Sequence, residues 1–316
     1  MEANFDLTIC ICTYNRYDLL AKSIDSAVNQ RTEGRRQEIV VVDNSPDHAR
    51  ARALQTKYDK TTDLRYLIEE TPGLSHARNV GAQAAQAPFI AFLDDDAIAS
   101  PRWTSELLLA FETIGAHAAV VGGRVDPIWS APRPPWLDDS MLGNLSVVNW
   151  GGQTRVAAAN EWVAGTNIAF RVESILSHGG FSPKLGRSGS GAALLSNEET
   201  ELIARIRAAG GELVYAPEAR VSHLVDAGRL TPSWFRKRAA WQALSDFLMD
   251  PDRAAAQAKT GWPAMLKYFN ALPPLERTVR GLICETDDPD LFNRQLSAIY
   301  TMTRLLLAGF EGTELG

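Results

Sequence analysis

The run Phe89-Ile90-Ala91-Phe92-Leu93 leads straight into Asp94-Asp95-Asp96. Three carboxylates ending an apolar strand repel one another, and such a cluster calls for a counter-ion. In extended geometry Asp94 and Asp96 share a side. Two such carboxylates at a ligand-binding edge suit a hard divalent cation, Mg2+ or Mn2+, that also holds substrate phosphates. The plainer reading is a capping cluster ahead of Pro101. Val221-Ser222-His223 closes a later strand. His223 reads either as a structural histidine or as a further ligand, which would favour Mn2+.

Other chemistry-bearing residues also follow strand-like runs, where an open parallel sheet binds its ligands. Thr13-Tyr14-Asn15-Arg16 follows the first run; Tyr14 offers a flat face for a base, and Thr13, Asn15 and Arg16 offer hydrogen bonds, unless the four simply make a turn. Asp43 either accepts a pyrimidine N–H or starts an Asx-turn or helix cap. In Pro72-Gly73-Leu74-Ser75-His76-Ala77-Arg78-Asn79, Ser75 as N-cap would put Arg78 in the first helical turn, opposed to the helix dipole. That placement is tolerated beside a bound phosphate; otherwise Arg78 is a surface residue paired with Glu69 or Glu70. Asn197-Glu198-Glu199-Thr200-Glu201 opens a helix after the Gly186–Gly191 loop. Its acids complement the dipole, or one of them is a general base beside a mobile loop.

The elements that must carry these residues alternate. Strands are expected at 7–12, 38–43, 64–69, 89–94 and 118–125, each short, apolar and rich in β-branched or aromatic residues, with helices at 17–30, 47–58, 75–86 and 101–113 between them. That alternation signifies an α/β fold on a parallel sheet. Residues 127–137, with four prolines and two tryptophans, read as a surface loop. Further strands are expected at 161–171 and 213–224, and after Pro232 the chain reads as helical throughout. The division expected is a domain over 1–225, with halves at about 1–125 and 126–225, and a helical extension over 226–316.

The 316 residues carry 38 Asp+Glu against 32 Lys+Arg, a net charge of −6, which argues against nucleic acid as a partner. A Gly-x-Gly-x-x-Gly fingerprint after the first strand and a Walker phosphate loop are both missing, which lowers hydride transfer and ATP hydrolysis as functions. No apolar run is long enough to cross a membrane and no secretory leader is visible, so a cytoplasmic protein is expected. Cys10 and Cys12 would share a strand face, as reduced core residues or as a disulfide or metal pair.

Taken in order, Ile11–Arg16, Val42–Ser45, Gly73-Leu74-Ser75-x-Ala77-Arg78-Asn79-x-Gly81, Phe92–Asp96, Gly165–Arg171, Asn197–Leu202 and Pro217–His223 resemble the family 2 glycosyltransferases over roughly residues 5–225. The resemblance implies a GT-A fold with a Rossmann-like, mostly parallel central sheet flanked by helices. It implies a nucleotide-sugar donor, most often a UDP-sugar, and an inverting transfer to a hydroxyl of a saccharide or lipid-linked acceptor. Carried over by position, Thr13, Tyr14, Asn15, Arg16 and Asp43 form the base pocket and Arg78 faces the nucleotide. Asp94 and Asp95 bind the donor, and Gly165 and Asn167 lie beside its sugar. Asp94, Asp96 and His223 hold a divalent cation, Mn2+ or Mg2+. Glu199 is the expected base with Glu198 beside it; the family usually has Asp where this chain has Glu199.

Two rival functions are a metal-dependent nucleotidyltransferase, which usually carries a Gly-rich, Lys-containing loop missing here, and a non-catalytic nucleotide- or sugar-binding module. In the helical extension Arg229, Arg236, Lys237 and Arg238 lie near Trp234 and Trp241. They read as a surface for a phosphorylated lipid-linked acceptor or a peripheral membrane contact, or as ordinary helix packing. Trp136, Trp150 and Trp162 would stack on acceptor sugars or belong to the core.

Overall fold

The protein is described by a computed structural model covering residues 5–189 and 193–310. Residues Ser190 and Gly191 of the expected mobile loop lie outside the described residues. In chain order the elements are β1 (Leu7–Thr13), α1 (Tyr17–Val28), β2 (Gln37–Asp43), α2 (His48–Tyr58), β3 (Leu64–Ile68), α3 (Leu74–Ala84), β4 (Phe89–Asp94), β5 (Ala97–Ala99), α4 (Trp103–Ile114), β6 (Ala118–Trp129), β7 (Arg155–Val156), β8 (Asn167–Arg171), α5 (Val172–Ser177), α6 (Glu198–Ala208), β9 (Glu212–Val225), α7 (Pro232–Met249), α8 (Pro251–Ala271) and α9 (Pro289–Phe310).

β1, β2 and β4 are continuous apolar runs because both of their faces are covered. Alternate residues go to opposite layers. Ile9 and Ile11, Ile39 and Val41, and Ala91 and Leu93 meet the apolar faces of α1, α2 and α4. Cys10 and Cys12, Val40 and Val42, and Ile90 and Phe92 meet those of α3, α5 and α6. The sheet runs β3-β2-β1-β4-β8-β6-β9-β5, with β7 beside β9. Pairing is parallel from β3 to β4 and antiparallel from β4 to β8 and from β8 to β6. This is the expected α/β fold. Its strand order reverses between β1 and β4, and the crevice beyond their carboxyl ends is where such a sheet takes a ligand.

Some local expectations change. The strand expected at 161–171 begins only at Asn167, because Asn167 N–H closes a turn on the Ala164 carbonyl at 2.9 Å. Gly73, not Ser75, caps α3, so Arg78 sits beyond the first turn and the argument from the helix dipole does not apply to it. Asp95 and Asp96 lie in a turn rather than in extended strand. Cys10 and Cys12 are free thiols with sulfurs 3.9 Å apart.

By internal packing the chain divides into two compact units. One contains the residues up to Ile128, Ser146–Gly189 and Glu198–Leu224; the other contains Trp129–Leu145, the segment ending at Asn197 and the chain from Val225 onward. The second unit therefore draws in two stretches that precede residue 225. The residues expected as a surface loop at 127–137 end in its core, where Trp136 packs edge-on against Phe235 and Phe292 with ring centroids 5.3 and 5.0 Å away. Trp136 is thus a core residue, not an acceptor platform. In the same unit Asp246 accepts from Asn197 at 2.6 Å, Gln242 at 2.7 Å and Arg304 at 2.8 Å, and from Tyr300. Arg236 bonds Gln295, Glu285 and the Cys284 carbonyl, and Arg238 bonds Gln242 and Ser196. These two arginines of the basic, aromatic stretch are held by packing within the unit.

Candidate functional site

Asp94 is the last residue of β4, and the turn through Asp95 and Asp96 leads into β5. β5 pairs antiparallel with β9 in the register Ala97↔His223, and Leu224 N–H donates to the Asp96 carbonyl at 3.0 Å. That pairing carries His223 to the aspartates. One ligand atom from each of Asp94, Asp96 and His223 lies within 4.8 Å of the others. His223 Nε2 is 3.3 Å from Asp96 Oδ1, and its buried Nδ1 has no hydrogen-bond partner.

Arg16 balances the other side of the cluster. Its fork donates to Asp95 Oδ1 at 2.9 Å and Asp96 Oδ2 at 2.7 Å, and Thr13 donates to Asp95 Oδ2 at 2.7 Å. Burial pushes the Asp95 carboxyl up to about 7 against the opposing pull of Arg16, with the Asp96 and Asp94 charges adding to the rise. Two sequence-predicted base-pocket residues, Thr13 and Arg16, are therefore engaged with the aspartates. Tyr14 is partly exposed, and Asn15 is exposed in the left-handed region at φ 58° with its N–H on Ser45 Oγ at 2.8 Å.

Asp43 faces Thr13 in the parallel register of β1 and β2 and is fully buried. Tyr66 donates to its Oδ2 at 2.6 Å, and the Ser45 N–H (3.0 Å) and hydroxyl reach Oδ1. This is the Asx-turn geometry that sequence left as an alternative. A carboxylate has about four acceptor positions, so a ring N–H remains compatible with it.

The densest arrangement surrounds Arg78. Its guanidinium lies between Phe92 and Phe181, 5.7 Å from each centroid, and is buried. Nη1 donates to Glu198 Oε1 at 2.8 Å and Nη2 faces Asp94 Oδ1 at 3.4 Å. Burial alone disfavours the cation, but Glu198 and Asp94 outweigh it and hold the Arg78 pKa above its usual value. The alternative of a surface arginine paired with Glu69 or Glu70 is not what forms; His76 takes Glu69 at 3.2 Å. Asn79 clamps Phe181 by accepting from its N–H at 2.7 Å and donating to its carbonyl at 2.9 Å. Phe181 itself carried no sequence signal.

Glu198 and Glu199 open α6 with different partners. Glu198 gives Oε1 to Arg78, and its buried Oε2 has no hydrogen-bond partner. Glu199 accepts the Gly165 N–H at 3.3 Å, and its buried Oε2 has no partner. Burial first, and then the Glu198 charge, push the Glu199 carboxyl up to about 8. Gly165 is a glycine because a Cβ there would lie 2.5 Å from Arg78 Nη2. The described part of the 186–191 loop docks here as well. Leu74 N–H donates to the Arg187 carbonyl at 2.8 Å, Ser75 hydroxyl to the Leu185 carbonyl at 2.7 Å, and a Cβ on Gly186 would meet the Glu198 carboxylate at 3.3 Å.

Asn167, expected beside a donor sugar, is held by protein partners. It is fully buried, donates to the carbonyls of Ala219 (2.7 Å) and Arg124 (2.9 Å), and accepts from the Trp103 indole at 2.8 Å. With both amide hydrogens donated, Asn167 ties the start of β8 to β6, β9 and α4.

The reversal of strand order, the carboxylates at its crevice and the helix N-terminus bearing two glutamates define a GT-A type sheet. Residues 8–161 match the family described as Glycosyl transferase family 2. Over 309 residues, 96% of this chain and 95% of the relative, it is 28% identical to the glucosyl-dolichyl phosphate glucuronosyltransferase of Haloferax volcanii. Over 233 residues, 73% of this chain and 71% of the relative, it is 28% identical to the succinoglycan biosynthesis protein ExoM of Rhizobium meliloti. The crystal structure of S. aureus TarS 1–349 in complex with UDP shares the fold, with a TM-score of 0.52 at 15% identity, covering 98% of this chain and 93% of that one. The family match over residues 8–161, the relatives named as glycosyltransferases and the shared fold together support a family 2 glycosyltransferase.

Proposed function

We propose that this protein transfers a sugar from a UDP-sugar to a hydroxyl of a saccharide or lipid-linked glycan acceptor, with inversion at the anomeric carbon. The observation that carries the reading is Glu199: a buried carboxylate oxygen without a partner, a pKa raised to about 8, and a position beside the Arg78 cation. A general base working near neutrality needs a free oxygen and a pKa near the working pH, which burial and the Glu198 charge provide here against the pull of Arg78. The UDP of the TarS structure and the dolichyl phosphate named for the Haloferax relative support the donor and acceptor classes.

The residues divide the work. Arg78 faces the donor diphosphate and stabilises the negative charge that grows as the bond to the sugar breaks. Glu198 holds Arg78 in place between the two phenyl rings. Glu199 takes the proton of the acceptor hydroxyl while its oxygen attacks the face of the sugar opposite the leaving diphosphate. Tyr14, Asn15 and Asp43 receive the base. Gly186 lies against the Glu198 carboxylate, where the described stretch 186–189 shields the donor from water.

Asp94, Asp96 and His223 suit a divalent cation. Their donors are two carboxylates and an imidazole, and a buried imidazole nitrogen is left unpaired. Mn2+ or Mg2+ held there supplies positive charge to the donor diphosphate.

Calorimetric titration with UDP, GDP, TDP and CDP, each with and without Mn2+, tests the reading. Selective, metal-dependent binding of UDP is expected. Binding of none, or equal binding of all four regardless of metal, overturns it.

A further inference from the structure

We propose that residues 259–283 of the helical unit form an interfacial element that seats this protein on an anionic phospholipid bilayer. The inference goes beyond the transfer chemistry and uses none of its residues.

Its first part is a face of α8. Lys259, Trp262, Pro263, Leu266, Lys267 and Asn270 recur at helical spacing and are exposed, whereas Ala254, Ala258, Met265 and Tyr268 turn inward. Trp262 and Leu266 are 46% and 43% exposed, one turn apart, and the two lysines flank them. Its second part follows directly. Leu275, Val279 and Ile283 are 94%, 71% and 65% exposed, with Arg277 and Arg280 between them. The stretch is fastened to the end of α8: Arg277 donates to the carbonyls of Leu272 and Asn270 at 2.9 and 3.1 Å, and Tyr268 bonds the Gly281 carbonyl.

Isolated exposed aliphatic residues need no explanation, but five large apolar side chains within one short, well-anchored stretch do. Charge indicates what covers them. Residues 259–283 hold four cations and one carboxylate, Glu276, on a chain whose net charge is −6. Local positive charge around exposed Trp, Leu, Val and Ile is the chemistry of a surface that enters the headgroup region, with Lys and Arg stems lying along the acyl boundary. Among the described residues no helix is long and apolar enough to cross a membrane, so the contact would lie in the plane of the interface.

The test is co-sedimentation of the full chain with vesicles of seven parts phosphatidylcholine to three parts phosphatidylglycerol, and with phosphatidylcholine alone. Partition onto the anionic vesicles should be at least about tenfold stronger and should weaken with salt. The double variant Leu275→Asp/Ile283→Asp should lower it about tenfold or more with an unchanged melting temperature, since both side chains are exposed. Lys259→Gln/Lys267→Gln/Arg280→Gln should weaken anionic binding by about fivefold per cation removed. Absence of vesicle binding, or binding that both variants retain, overturns the proposal. So does a concentration-dependent dimer that Leu275→Asp abolishes, because the face would then serve a second copy of the chain. Donor hydrolysis in detergent-free solution should be equal in wild type and the aspartate variant. A loss of hydrolysis in both would count against the catalytic reading and leave the docking result standing.

Discussion

Replacing Gly165 with alanine adds one methyl group where the backbone passes Arg78. The new Cβ would lie 2.5 Å from Nη2, 2.9 Å from Nη1 and 3.1 Å from Cζ, against about 3.5 Å for ordinary contact between heavy atoms. A free arginine would swing away at little cost. This one has Phe92 and Phe181 at 5.7 Å on either side and Glu198 at 2.8 Å, so relief requires breaking the ion pair or shifting a packed ring. Overpacking of this kind costs about 1–3 kcal/mol of stability. The larger effect falls on catalysis, because a shift of about 1 Å in a charge-stabilising group costs about a hundredfold in rate. The assay is transfer kcat/KM with melting temperature measured in parallel, and Gly152→Ala is the control, since nothing lies within 4 Å of a Cβ at that position. Wild-type kcat/KM and melting temperature in Gly165→Ala would refute the claim that this glycine holds Arg78 in its working position.

With its carboxyl pushed up to about 8, Glu199 is still largely protonated at neutral pH, so kcat/KM should rise with pH and reach half its plateau near 8; Glu199→Gln should abolish transfer and leave UDP binding intact. The same shift has a stability sign. Between about 4.5 and 8 the folded chain binds a proton that the unfolded chain has released, so stability falls as pH rises through that window, and Glu199→Gln should melt above wild type at pH 8. Asn167→Ala strands the Trp103 indole N–H and two buried carbonyls, and should cost about 3 kcal/mol or more in denaturant unfolding while leaving UDP affinity unchanged. His223→Ala removes one of three candidate ligands and should weaken Mn2+ binding by at least about tenfold in a direct metal titration, with Asp94→Asn behaving alike.

The parallel part of the sheet was legible because β1, β2 and β4 are buried on both faces, and double burial writes an unbroken apolar run into the sequence. Their carboxyl ends were legible for the same reason, and they brought Thr13–Arg16, Asp43 and Asp94–Asp96 forward as candidates. β5 was missed because three residues, Ala97–Ala99, carry no period. The proline-rich stretch 127–137 reads as a surface loop, and sequence leaves Trp136 open between acceptor platform and core; the core role follows from Phe235 and Phe292, aromatic partners far away in the chain.

Sequence by itself thus determined which residue types stand at the ends of the strands, since that follows from alternation and turn chemistry among chain neighbours. Only the tertiary structure decided what each of them does. The β5–β9 register sets His223 against Asp96, and the approach of α3 to α6 pairs Glu198 with Arg78 while burial and the Glu198 charge raise the Glu199 carboxyl. Folding buries Asn167 among protein partners and sets Gly165, two residues earlier, against the arginine. The physical reason is that protonation, charge and reach depend on solvent exclusion and on non-local partners. Two adjacent glutamates with the same intrinsic chemistry acquire different roles only when the chain has folded around them.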